Sequence, residues 1–185
     1  MKVNFGVQTF MYPMPVLIIA SYGSDGTPDA MNAAWGGIHD TNQIGICLSP
    51  EHKTVKNILD RKAFTVSMAN ADHVAACDYV GIVSANKEPE KLKKAGFTVS
   101  KSVNIDAPVI NELPMALECK LVSYDEDSGY MVADIVNILA EEDILTDGKI
   151  DPQKLKPVTY DPVNHKYIQL GQVVGTAFQD GKALK

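Results

Sequence analysis

Cysteine is scarce in this chain, and its three copies, Cys47, Cys77 and Cys119, stand far apart. No C-x-x-C or other metal-ligand spacing exists, and three thiols cannot all pair within one chain. Reduced, partly buried thiols in a cytoplasmic protein are therefore expected. Basic charge is also in deficit: 17 Lys and Arg against 23 Asp and Glu give a formal net charge of −6. That balance argues against a nucleic-acid partner, because a polyanion needs a basic field. Lys91, Lys93 and Lys94 cluster, but beside Glu88 and Glu90, as on a solvated helix face. Long apolar runs are missing too. The longest, Val16 to Ala20, is far too short to cross a bilayer, and Met1-Lys2-Val3-Asn4 opens no signal peptide. H-E-x-x-H, Walker-type and Rossmann fingerprints are absent, as is any Ser-His-Asp arrangement that a sequence can establish.

What is present suits a soluble globular protein. The chain has 185 residues, 45% hydrophobic and 22% charged. That is enough for one substantial core, hence a single domain over residues 1–185. Pro13-Met14-Pro15 punctuates the start. Val16 to Ser21 is apolar on both faces, the pattern of a buried strand. Gly23 to Pro28 reads as a hairpin turn, Asp29 to Gly37 as the returning strand and Gln43 to Leu48 as a third strand. Thr54 is placed to cap a short helix over residues 55–62, with Asn57 returning to the cap. Ala63 to Met68 returns to strand character. Asp72 to Val80 and Pro89 to Ala95 read as helices, the second stopped by Gly96. Met115 to Leu121 alternates, and Ser128-Gly129 turns it toward a strand over Tyr130 to Val136. Thr146 to Pro162, rich in Asp, Pro and Lys, reads as an extended surface excursion. Many short strands with a few inserted helices predict a mainly β fold: an antiparallel barrel with peripheral helices.

Two segments carry chemistry. The first is Asn32-Ala33-Ala34-Trp35-Gly36-Gly37, with the only tryptophan of the chain. Its small residues let a flat ring approach the backbone. The second is Ser49-Pro50-Glu51-His52-Lys53-Thr54-Val55-Lys56-Asn57. Here hydroxyls, a lysine and the free N–H groups of a helix start converge, as an anion requires. Together they suit a phosphorylated aromatic cofactor. Each has a bland alternative: a tryptophan in the core, a capped helix beside a solvated lysine, an exposed loop histidine at His52. A cap accounts for Thr54 alone, but not for two hydroxyls and a cation at one helix start.

The order of these pieces resembles a known family. Pro-x-Pro, an apolar strand ending in Ser, Asn-Ala-Ala-Trp, Ser-Pro-x-x-Lys-Thr with Asn three further on, and Phe-Thr-Val-Ser follow one another. After a spacer come Glu-Lys-Leu-x-x-Ala-Gly-Phe-Thr and Ala-Pro-Val-Ile. From about Pro13 to Gly171 the chain is similar to the flavin reductase-like, FMN-binding split-barrel proteins, and within them to the flavoredoxin group. The resemblance implies a split β-barrel homodimer with noncovalently bound FMN. It implies electron transfer from NADH or NADPH through that flavin to a protein or small-molecule acceptor. The alternative is a noncatalytic flavoredoxin-type electron carrier or a flavin-binding protein. It places Asn32, Ala33, Ala34 and Trp35 beside the flavin ring, Ser49, Pro50, His52, Lys53 and Thr54 at its phosphate, and Lys91 within reach from a second helix. No catalytic acid or base is implied, since hydride passes directly between two aligned rings. Glu51 departs from the pattern, because an acid beside a phosphate is unfavourable; it is expected to point away. Tyr167 is left between a wall of the site and a filler of the barrel.

Overall fold

The computed structural model describes residues 1–184. Its strands are β1 (Met14–Pro15), β2 (Leu17–Tyr22), β3 (Pro28–Ala33), β4 (Gly36–Asp40), β5 (Gln43–Cys47), β6 (Ala63–Met68) and β7 (Val99–Lys101). They continue as β8 (Pro108–Ile110), β9 (Met115–Asp125), β10 (Tyr130–Ala140), β11 (Leu145–Thr146), β12 (Lys149–Ile150), β13 (Val158–Asp161) and β14 (Lys166–Gln169). The α-helices are α1 (Lys53–Arg61), α2 (Val74–Ile82), α3 (Lys91–Ala95) and α4 (Pro152–Leu155).

Seven antiparallel strands form one curled sheet in the order β3-β2-β6-β9-β10-β5-β4. Its two edges, β3 and β4, are consecutive in the chain, and only Ala34 and Trp35 separate them. The sheet thus curls back on itself as a split barrel, with those two residues spanning the seam. The expected single strand from Asp29 to Gly37 is broken there. Cys47 N donates to Trp35 O at 2.8 Å, which ties the seam to β5. Gly36 passes so close beneath it that an added Cβ would meet Leu17 Cδ1 at 2.9 Å and Gly45 O at 3.2 Å.

The two apolar faces of β2 serve two cores. Leu17 and Ile19 point into the barrel with Ile46, Phe64, Val66, Leu117 and Met131, and α1 plugs that interior with Val55 and Ile58. Ile18 and Ala20 point outward against Ala30, Cys77, Val80, Leu92 and Phe97, under α2 and α3. Burying each large aliphatic side chain contributes about 1.5–3 kcal/mol, so a strand buried on both sides needs no polar face.

Three local expectations are corrected. Helix α1 begins at Lys53, and His52 rather than Thr54 is its N-cap residue. The Thr54 hydroxyl instead donates to Asp29 Oδ2 at 2.7 Å, turned inward by a carboxylate that the sequence could not show to be buried. Asn57 is likewise buried rather than returning to the cap, and its Nδ2 has no partner among the described residues. Residues 146–162 are not a surface excursion. Leu155 and Val158 are buried, Val158 N bonds Ala69 O at 3.1 Å, and β13 pairs with β1 and β14.

Strands β9 and β10 run longer than the alternation indicated, and β9 hides a charge. Glu118 is fully buried on the opposite face from Leu117 and Cys119. Its carboxylate accepts from Asn137 Nδ2 at 2.6 Å, Asn104 Nδ2 at 2.7 Å and the Ser102 hydroxyl. Burial alone would raise its pKa. The hydrogen bonds from Ser102, Asn137 and Asn104 outweigh that and hold it below the ordinary glutamate range. The carboxylate thereby fastens the 102–105 turn to the sheet, since Ser102 Oγ also accepts from Asn104 N and Ile105 N at 3.0 Å each.

A depressed folded-state pKa contributes stability above the unfolded value, and this is lost as pH falls through the folded value. Glu118→Gln places an amide N–H₂ against two other amide donors. We expect it to cost about 2 kcal/mol at neutral pH, with the gap from wild type narrowing as pH drops below about 4. Urea unfolding at several pH values measures both. Equal stability of the two proteins at neutral pH would show the network to be dispensable.

Candidate functional site

A cleft of about 480 Å³ opens at the seam. Along one stretch it is lined by Met31, Asn32, Ala33, Ala34 and Trp35, the end of β3 and the residues that cross the seam. Asn32 is held in place by α2: its Nδ2 donates to Cys77 O at 3.2 Å. Gly81 lies so near that a Cβ there would meet the Asn32 amide at 2.2 Å. Only glycine allows that approach. Ala33 and Ala34 leave the cleft floor low, and Trp35 is half exposed to it.

Strand β5 delivers Cys47, Leu48 and Ser49 to the same cleft, and His52 joins them at the start of α1. His52 makes no side-chain hydrogen bond to the helix, so no capping side chain occupies the first-turn N–H groups. Lys53 is the half-buried first residue of α1. Pro50 lines a smaller adjoining cleft with Ser49, Trp35 and Gly129. Glu51 is exposed and lines neither cleft.

Of the expected contacts, Lys53, Thr54 and Lys91 line neither cleft. Thr54 is buried beneath the larger one on Asp29. Lys91, which the resemblance places at the flavin, is buried as well: its Nζ lies 2.9 Å from Asp29 Oδ1. It also donates to Val80 O at 3.3 Å and Val83 O at 3.1 Å, at the C-terminal end of α2. The approach to Asp29 is a charge contact rather than a directed hydrogen bond. A buried ammonium needs such partners, and the helix end supplies favourable carbonyls. Lys91 and Thr54 therefore converge on Asp29 and brace α1, α2, α3 and β3 behind the cleft. Asp29 escaped notice in the sequence; a carboxylate inside a strand otherwise fit for burial was the available signal.

Residues from distant parts of the chain complete the lining: Asp78 and Ile82 on α2, Tyr160 on β13, His165 in the β13–β14 turn and Tyr167 on β14. Tyr167 is thus a wall of the site. Its hydroxyl donates to Asp78 Oδ1 at 2.7 Å, and burial followed by the Asp78 contact raises its pKa well above the usual tyrosine range. Tyr160 Oη lies 2.8 Å from His165 Nδ1. Sequence reasoning missed Asp78, Tyr160 and His165, which no local motif marks. Of the thiols, burial pushes Cys77 and Cys119 up to about 12, whereas Cys47 is exposed at the cleft.

Residues 9–162 match the family model described as the flavin reductase like domain. Among solved structures, the chain is similar to the flavoredoxin of Desulfovibrio vulgaris (Miyazaki F), with 34% identity and a TM-score of 0.93 over 98% of this chain and 100% of that one. It is also similar to the flavoredoxin from Methanosarcina acetivorans, with 28% identity and a TM-score of 0.90 over the whole of both chains. An FMN-binding domain of a flavin reductases-like enzyme from Shewanella baltica OS155 shares the fold, at 18% identity and a TM-score of 0.79 over 88% of each chain. The chain spans 46% and 55% of the length of the curated relatives it matches, from Aeropyrum pernix and Aquifex aeolicus. With the family model covering every strand of the seven-stranded sheet, the chain belongs to the flavin reductase like domain family.

Proposed function

We propose that this protein binds FMN in the seam cleft and passes electrons from NADH or NADPH through it to a protein or small-molecule acceptor. The observation that carries this is the joining, in one cleft, of a small-residue ring floor with an uncapped helix start. Ala33 and Ala34 leave room for a flat tricycle, and Trp35 packs at its side. Ser49, His52 and the first-turn N–H groups of α1 form a donor set for a phosphate, and Lys53, which does not line the cleft, adds its charge at the helix start. The cleft volume lies in the range of cofactor sites. FMN supplies the hydride chemistry; the chain's part is to hold the ring, neutralise the phosphate and keep space for a second ring. Asp29, with Lys91 and Thr54, acts from beneath by fixing α1 relative to β3.

Similarity to two flavoredoxins favours a second reading, in which the protein is an electron carrier with negligible pyridine-nucleotide turnover. Steady-state NAD(P)H oxidation separates the two. The homodimer belongs to the same proposal. Ile38, Val122, Val136 and Ile138 are exposed on β4, β9 and β10, and Phe5, Phe10 and Met11 are exposed in the segment before β1. Apolar surface of this extent suits burial against a second copy.

Purified protein is expected to be yellow and to release one FMN per chain on heating. Recovery of FAD alone, or a colourless protein that FMN does not titrate, would refute the cofactor.

Lys53→Ala is expected to weaken FMN by about ten- to a hundredfold, as loss of a charge-assisted phosphate contact does. Riboflavin, which has no phosphate, should lose little. Equal losses for both ligands in a calorimetric titration would remove Lys53 from the phosphate site.

Sedimentation in reductant is expected to give twice the 20.1 kDa chain mass. A strict monomer that keeps its FMN would exclude a shared-site dimer.

A further inference from the structure

Four side chains of the cleft have no part in holding a ring floor or a phosphate: Asp78, Tyr160, His165 and Tyr167. They come from two separate stretches of chain, α2 and the β13–β14 hairpin, yet they form one continuous group. Tyr160 and Tyr167 are directly paired across β13 and β14, with ring centroids 6.2 Å apart. Tyr167 bonds Asp78 on one side, and Tyr160 bonds His165 on the other. His165 has φ +53°, a left-handed conformation that a non-glycine residue adopts at a cost. The turn that imposes it is built by Asp161, whose Oδ1 accepts from Val163 N at 2.9 Å and Asn164 N at 3.2 Å. Asn164 Nδ2 closes the turn onto Asp161 Oδ2 at 2.8 Å. A strained residue held this firmly and lining a cleft invites a functional explanation.

The proton inventory says what this group can recognise. The Tyr167 proton is committed to Asp78, so the phenolic oxygen is left as an acceptor. Asp78 Oδ2 makes no hydrogen bond among the described residues and is a second acceptor. Both call for N–H donors on the ligand, and the Asp78 charge disfavours a carboxylate there. The Tyr160–His165 pair can present either sense. When His165 Nδ1 carries the proton, it donates to Tyr160 Oη and frees the phenol proton for a carbonyl oxygen. A flat group with an N–H₂ beside a C=O satisfies both halves at once.

We propose that this wall reads the primary carboxamide of a nicotinamide ring, with Tyr167 and Asp78 accepting from its nitrogen and Tyr160 donating to its oxygen. The proposal rests on the pyridine-nucleotide reading above and adds the residues that recognise the donor. It also supplies a recognition element in a chain that has no Rossmann fingerprint. The four residues are positioning residues for the second ring, and no proton transfer is asked of them.

The test is a difference in equilibrium binding. FMN-loaded, oxidised protein is titrated with NAD⁺ and with its 3-acetylpyridine analogue, in which a methyl group replaces the amide nitrogen, following the flavin absorbance. Wild type is expected to bind the analogue about tenfold more weakly, because the two acceptors lose their donors. In Tyr167→Phe that preference is expected to fall to less than about twofold, with FMN content unchanged. Asp78→Asn, which preserves size, should move the ratio in the same direction. The wild-type comparison stands even if a variant does not fold. Equal binding of both nucleotides by wild type, with NADH still reducing the flavin, would overturn the wall and leave the donor reading intact. Failure of NADH and NADPH to bind or reduce would overturn the donor reading and the proposal with it. A Tyr167→Phe protein, reloaded with FMN, that keeps the wild-type preference but holds FMN more weakly would assign the wall to the flavin and likewise overturn the proposal.

Discussion

Everything in this fold is arranged around a seam that two residues cross. Strands β3 and β4 are the edges of the seven-stranded sheet, and Ala34 and Trp35 join them directly. So short a connection forces the sheet to curl until its edges meet, which encloses the barrel interior and leaves a cleft where pairing stops. The backbone at the seam is held by Cys47 N on Trp35 O, and the close passage of Gly36 over Leu17 and Gly45 permits the curl. A bulkier residue at Gly36 would push the edges apart. Unpaired edge strands are normally a liability that proteins cover; here the edge region opens as the cleft.

Behind the seam lies a second constraint, a buried carboxylate with its cation. Asp29 takes the Thr54 hydroxyl on one oxygen and faces the Lys91 ammonium on the other, and Lys91 also binds carbonyls near the end of α2. Burying two charges is expensive, and their mutual attraction offsets that cost only with good partners. The return is geometric. Four elements that carry cleft residues, or support those that do, are referred to one point. Thr54 and Lys91 thus serve the site without lining it, and the apolar faces of β2 pack against helices whose positions the polar hub sets.

The cleft itself is chemically divided. The side formed by β3, the seam, the end of β5 and the start of α1 joins small and apolar residues with the Ser49 and His52 donors. Those on α2, β13 and β14 are a carboxylate, two phenols and an imidazole joined by hydrogen bonds. A single flat ligand would use only one of these surfaces. Two stacked rings, as proposed above, would use both.

Local pattern was enough for much of this. Period-two and two-sided apolar runs marked β2, β6, β9 and β10, Gly96 marked the end of α3, and the small-residue segment at Asn32–Trp35 marked one side of the cleft. These are properties of neighbouring residues, so they survive in the sequence. The roles of Thr54, Asn57 and Lys91 did not, because a polar side chain near a helix start reads the same whether its partner is a phosphate or a buried Asp29. Nor did the burial of Glu118, since its partners Ser102, Asn104 and Asn137 lie 14 to 19 residues away and alternation assigned its position to solvent. The Asp78–Tyr167 contact spans 89 residues of chain. By itself the sequence determined most of the strand content and the small-residue segment and helix start that meet at the cleft. Only the tertiary structure decided which polar side chains face the cleft and which are consumed beneath it, because that depends on which long-range partner reaches each group first.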